Sequence, residues 1–257
     1  PSLARFRIPD GRVDSLEQIL IDGGLDPALW FCVLHYREPN YEGRGANTDR
    51  DLRPDHPIAI TRYIIEELGG QVVRIGHPEM SPFPKMTGFL DLRRVTTDIQ
   101  LQAAAVARSR FFLELSPSGP MSLALCFAVP VARCNALTLA GPAAVGSVVL
   151  NQHIVGPDGA TVPIDVCVEK NLLNGIVMPF MLKSRGYHFV RNSLSELKST
   201  SLDIFKATAD CPGWREAKPE APDIATDHVA WPMASTWRHR VSGHDASESL
   251  SGQEGHF

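Results

Sequence analysis

The chain has 257 residues, 44% of them apolar, and a formal net charge of −4. That length suits one large domain or two small ones with a sizeable core. The mild acidity leaves no electrostatic footprint for nucleic acid, and no run of about 18 apolar residues is present to span a membrane as a helix.

The five cysteines, Cys32, Cys126, Cys134, Cys167 and Cys211, are odd in number, and most lie in apolar runs. That pattern fits buried free thiols in a reducing compartment. No Cys-x-x-Cys pair offers a structural zinc site. The opening PSLARFRIPDGR lacks the apolar centre of a signal peptide, so a cytoplasmic location is expected.

A short helix over 14–21, closed by Gly23-Gly24, leads in. Residues 30-WFCVLHY-36 read as a buried strand with polarity only at its end. The polar stretch 37–56 has little periodicity, and a loop of that length is usually functional or mobile. Its interleaved Arg44, Arg50, Arg53 and Asp49, Asp51, Asp55 read as a solvated face. Residues 57–68 predict a helix with Pro57 in its first turn and Ile60, Ile64 and Leu68 on one face.

Strands follow at 71–75 and 88–92, then a helix from Asp98 to 107, a strand at 110–115, a helix from Pro120 and a strand at 129–134. Residues 140–175, with two Gly-Pro pairs, read as a long connection of little regular structure. A helix over 176–186, a strand at 187–190 and a helix from 193 to 207 capped by Asn192 complete the folded part.

The alternation predicts an α/β, Rossmann-like parallel sheet with helices on both faces over 1–210. An extended polar tail is expected over 211–257, with Trp214, Trp231 and Trp237 but no core of its own. That tail is a candidate arm for a homo-oligomer or a partner chain. Its histidines, 228, 239, 244 and 256, lack metal-ligand spacing.

Ligands of such sheets bind off the carboxyl ends of the strands. His35, Tyr36, Arg37, Arg74, Gly76, His77, Asp91, Ser116, Ser118 and Gly119 would all gather there. The turn 116-SPSGP-120 joins a strand to a helix start, where free N–H groups and a positive dipole suit an anion; equally, it is a plain turn. Arg37 is placed to reach the same anion. His35, Glu38 and Glu114 are candidate bases, and each also has a purely structural reading. Neither a Gly-Lys-Ser/Thr loop nor Gly-x-Gly-x-x-Gly is present.

Four segments, 30-WFCVLHYRE-38, 69-GGQVVRIGHPEM-80, 88-GFLDL-92 and 110-RFFLELSPSGPMSLALCFAVPVARCN-135, together resemble a bacterial glycosyltransferase family. Its nucleotide-sugar half is of the GT-B type, distantly like GDP-fucose-using fucosyltransferases. The resemblance covers about residues 5–210. It implies that His35, Arg37, Ser118, Gly119 and, more loosely, Ser116 meet the diphosphate of a GDP- or UDP-linked sugar. It places Arg74 and Asp91 near the nucleoside, with His77 beside them.

The resemblance also implies metal-independent transfer, with no cofactor beyond the donor. Arg37 would stabilise the departing diphosphate, and His35 or Glu38 would take the acceptor's proton. The acceptor is unidentified, and its side would come from 37–56, 140–175, the tail, another chain or a region outside this sequence. His77 replaces the family's usual Asp, Pro117 a Ser or Thr, and Glu114 and Leu115 smaller residues; a carboxylate at 114 would repel a diphosphate. A non-catalytic nucleotide-sugar-binding module, or a degenerate half needing a catalytic partner, is one alternative. An enzyme of natural-product assembly using the same anion-binding rim is another.

Overall fold

The computed structural model describes residues 8–39, 50–138, 143–144, 146–172, 179–209, 214 and 229–230. Helix α1 (Asp10–Asp22) starts four residues before the expected position, behind Pro9, and buries Val13, Leu16 and Leu20. Strand β1 (Phe31–His35) is buried at every position, as an apolar run between two parallel neighbours should be. Helix α2 (Asp55–Glu66) returns the chain to β2 (Gln71–Arg74), which pairs with the short β3 (Phe89–Asp91). Helix α3 (Ile99–Arg108), capped by Asp98 as expected, crosses back to β4 (Phe112–Glu114). Helix α4 (Met121–Cys126) has one and a half turns and feeds β5 (Val131–Ala136).

Beyond β5 the structure departs from the expected loop. The two-residue strand β6 (Ala143–Ala144) is followed by β7 (Val148–Asn151), a full member of the main sheet, and by β8 (His153–Val155) and α5 (Ile164–Glu169). Helix α6 (Pro179–Lys183), β9 (His188–Val190) and α7 (Leu194–Ala207) follow. The six strands of the main sheet run in the order β3-β2-β1-β4-β5-β7, and every pairing is parallel. This is the order of the dinucleotide-binding fold, with the chain reversing direction between β1 and β4.

Alternate side chains of each strand serve two cores. Phe31, Val33, Val73 and Phe112 face α1, α3 and α4, while Cys32, Leu34, Val72 and Leu113 face α2 and α7. Cys32, Cys126, Cys134 and Cys167 are free thiols, as expected. A satellite core of Ile154, Cys167, Leu172 and Leu182 lies under the antiparallel β8–β9 pair.

Two readings need correction. The cap of α7 is Ser193, whose Oγ accepts from the Glu196 N–H while Glu196 accepts from the Ser193 N–H. Asn192 instead exchanges hydrogen bonds with Asn135, through Asn192 N–H to Oδ1 at 2.8 Å and Asn135 N–H to Oδ1 at 2.7 Å. Trp214, read as part of a coreless tail, is 2% exposed and packs in the α1–α3 core. The final described strand, β10 (Val229–Ala230), pairs antiparallel with β6. The rest of the tail, with Cys211, Trp231, Trp237 and the late histidines, and the loop carrying Arg44 and Asp49, lie outside the described residues.

Candidate functional site

The sheet register sets the strand-end residues side by side. Arg74 pairs across with Asp91, His35 with Glu114, and Glu114 with Arg133. The carboxyl rim therefore carries charges of alternating sign, each next to a neutralising neighbour. Opposite charges in such positions tolerate burial that a lone charge would not.

The two halves of this row lie on opposite faces. On the α2–α7 side Arg74 is wholly buried and stacks over Phe83 at 4.1 Å and Tyr36 at 4.9 Å. Its guanidinium donates to Tyr36 Oη at 2.9 Å and to Glu38 Oε1 at 3.0 Å, and lies 3.7 Å from Asp91. Arg93 pairs with the same Asp91 at 2.9 Å, and both guanidiniums donate to the Ser81 carbonyl. Glu38 Oε2 accepts from the Ser81 N–H and hydroxyl, both at 2.8 Å.

Burial pulls the Glu38 carboxyl upward, but the hydrogen bonds from Tyr36 and Ser81 and the Arg74 charge together hold it below its ordinary value. Burial lowers the pKa of Arg74 and raises that of Asp91 against the pull of Arg74 and Arg93. Arg74 and Asp91 thus form a clamp beneath the loop at 76–81, and neither lines the cavity above it.

On the other face His35, 8% exposed, sits beside the 116–120 turn. Its Nδ1 is 2.8 Å from Ser118 Oγ. Glu114 accepts from the Ser118 N–H at 2.7 Å and from Arg133 Nε at 3.0 Å. Burial raises the Glu114 pKa, opposed by Arg133 and the Ser118 N–H. Ser116 Oγ accepts from the Arg37 N–H at 2.8 Å and is buried, so this serine ties two strand exits together. Gly76, at φ 141°, lies against the His35 ring and leaves room for Met80: a Cβ there would lie 2.5 Å from Met80 Sδ.

Above these groups opens a cavity of about 820 Å³, at the β1/β4 reversal point. Of the residues singled out in the sequence, His35, Tyr36, Arg37, Glu38, Gly76, His77, Ser118 and Gly119 line it, and Ser116 does not. Arg37 reaches it with Nε held 2.8 Å from the buried Asp51. Arg50 was missed and lines it too. Its Nε and Nη2 donate to the Pro117 carbonyl at 3.0 and 2.8 Å, and burial and the Arg37 charge lower its pKa. The solvated-face reading of this loop is thereby corrected: Asp51 is 3% exposed, and 50–52 run back beside Arg37. The alternation of charges disguised Arg50, while its place on a long loop after the first strand was the usable signal.

Gly119 is exposed, with open space where a side chain would stand. The anion cradle expected at 116–120 is smaller than anticipated. Helix α4 is short, and the Ser118 N–H already serves Glu114. Among the described residues no cluster of His, Cys, Asp and Glu has metal-binding geometry, and no helix is long and apolar enough to cross a membrane.

These features define an α/β protein with a Rossmann-type parallel sheet and a partly basic cavity at its reversal point. No known protein family's sequence profile and no curated protein sequence matches the chain. Among solved structures it is similar to a glycosyl transferase family 9 protein from Veillonella parvula, at 13% identity and a TM-score of 0.45, over 78% of this chain and 53% of that one. The chain spans about half the length of that structure.

Proposed function

We propose that the cavity binds the diphosphate of a nucleotide sugar and that the chain serves metal-independent glycosyl transfer to an acceptor alcohol. The observation that carries this reading is the placement of Arg37 and Arg50 beside the open Gly119 turn, in a cavity at the sheet's reversal point. Ligands of this sheet type bind there. Two guanidiniums flank the position a leaving diphosphate would take, and a well-placed donor to developing charge contributes about 3 kcal/mol. The sequence resemblance supplies the donor class.

Glu38 is a poor base in this scheme, because its oxygens accept from Tyr36, Arg74 and Ser81. His35, which also lines the cavity, is the remaining candidate. The nucleotide-binding module without turnover is favoured by one observation: Glu114 already occupies the Ser118 N–H.

Thermal unfolding in the presence of GDP, UDP, dTDP and CMP tests the binding step. One nucleotide at about 100 times its Kd should add about 3 kcal/mol of stability. Release of that nucleotide from its sugar donor, with metal chelated and acceptor alcohols supplied, separates enzyme from module. No stabilisation by any of the four would remove the proposal.

A further inference from the structure

Ser118 has one hydroxyl hydrogen and two neighbours able to accept it. Its Oγ lies 2.8 Å from His35 Nδ1 and 3.3 Å from Glu114 Oε1. Glu114 pairs with Arg133 at 3.0 Å and its other oxygen receives the Ser118 N–H, and these contacts favour the acceptor-only carboxylate against the upward pull of burial. The 2.8 Å contact allows either direction; the carboxylate charge favours the chain in which Ser118 O–H donates to Glu114 and His35 Nδ1–H donates to Ser118 Oγ. A neutral imidazole carries one hydrogen, so Nε2 is left with a bare lone pair.

We propose that His35 is a specificity-determining residue: its Nε2 accepts a hydrogen bond from a ligand hydroxyl in the cavity, and the Glu114–Ser118 pair fixes that polarity. Among the described residues nothing donates to Nε2. The ring is more than nine-tenths buried yet lines the cavity, so a donor to Nε2 has to come from the cavity, where a ligand would displace solvent. Burial, helped by the Arg74 charge, lowers the pKa of His35 to about 3, which keeps the ring neutral at physiological pH. A neutral ring that presents only an acceptor repels phosphate oxygens. His35 therefore selects a hydroxyl of the ribose, the sugar or the acceptor, and Arg50 and Arg37 are left as the diphosphate contacts.

The ligand's identity rests on the nucleotide-sugar reading, so the first test uses no ligand. In the 15N-labelled full chain at neutral pH, two-bond proton–nitrogen correlations should show His35 with Nδ1 protonated and Nε2 unprotonated. In Ser118→Ala the fixed pattern should give way to a mixture of tautomers. A protonated Nε2 in the unsubstituted protein overturns the proposal, and an unchanged single tautomer in Ser118→Ala overturns the positioning role of Ser118.

The second test measures inorganic pyrophosphate binding by calorimetry. His35→Phe should keep the affinity within about twofold, whereas Arg50→Ala should lose about tenfold or more. A tenfold loss in His35→Phe refutes the assignment. If pyrophosphate does not bind the unsubstituted protein, the diphosphate reading fails, while the tautomer still decides the case of His35.

Discussion

At the scale of single residues, the burial of His35 ties stability to pH. His35 has an ordinary pKa near 6.5 when unfolded and about 3 when folded. Above the higher value both states are neutral and nothing is gained or lost. As pH falls below it, the unfolded chain takes up a proton that the folded chain refuses, so stability drops. The slope approaches about 1 kcal/mol per pH unit until the folded ring also protonates. His56, half-buried and also depressed by burial, acts in the same direction, so comparison with His35→Phe isolates the effect. Urea denaturation at a series of pH values from 7 to 4 (about three units) should show a flatter profile for the variant. An equally steep profile would mean that His35 is solvated.

Arg74 makes a second case. Replacing it by Met leaves Glu38 without its buried cation while Asp91 keeps Arg93, and breaking a buried pair typically costs about 3–5 kcal/mol. Equilibrium unfolding of Arg74→Met should show a loss of that order; a loss below about 1 kcal/mol would mark the clamp as dispensable. The polar residue types at the strand ends were readable from the sequence, because each apolar run stops at one. Their pairing was not, since it depends on which strands adjoin. Arg74 reads equally well as a ligand-facing cation until β3 supplies Asp91 and the chain after β1 supplies Glu38.

Among the elements, legibility followed length and punctuation. The helices with apolar stripes, α2, α3 and α7, were readable to within a few residues. Strand β7 was not read: its Val148-Val149-Leu150 run is short and follows Gly146-Ser147 inside a stretch punctuated by Gly-Pro pairs. What makes it a strand is β5 beside it, with Ser147 Oγ accepting the Val131 N–H at 2.9 Å. The α7 cap shows the same limit from the other side. Asn192 and Ser193 are both good caps, and only the Ser-x-x-Glu spacing favours the second. Asn135, at φ 52°, claims Asn192 from across the chain. Ser193→Ala should therefore cost about 1 kcal/mol. Asn192→Ala should cost more, because the Asn135 N–H is buried and would be left without its acceptor. Thermal melts of the two variants rank them, and the reverse order would return the cap to Asn192.

The cavity and the buried Trp214 lie at opposite ends of one sheet. β1 runs from Phe31 at one end to His35 at the other, roughly 13 Å apart at the rise of a strand. The His35 end carries the cavity, and the Phe31 end carries Trp214. That indole lies 6.0 Å from the Phe31 ring, its Nε1 donates to the Asp26 carbonyl at 3.5 Å, and its own carbonyl accepts from Arg108 at 2.9 Å. A residue far along the chain thus seals the core between α1 and α3, and composition gave no warning because its sequence neighbours are polar. Deleting so large a buried side chain typically costs about 3–5 kcal/mol. In a domain of this size that lowers Tm by roughly 10 °C. Trp214→Ala should show that drop while its Kd for the stabilising nucleotide, measured well below the melting range, stays within about twofold of the unsubstituted protein. Arg50→Ala should do the opposite, melting within a degree or two (about 0.5 kcal/mol) and binding about tenfold more weakly. If Trp214→Ala weakened binding as much as Arg50→Ala does, the two ends would be coupled through the sheet, and the independence of the cavity from the far rim would fail.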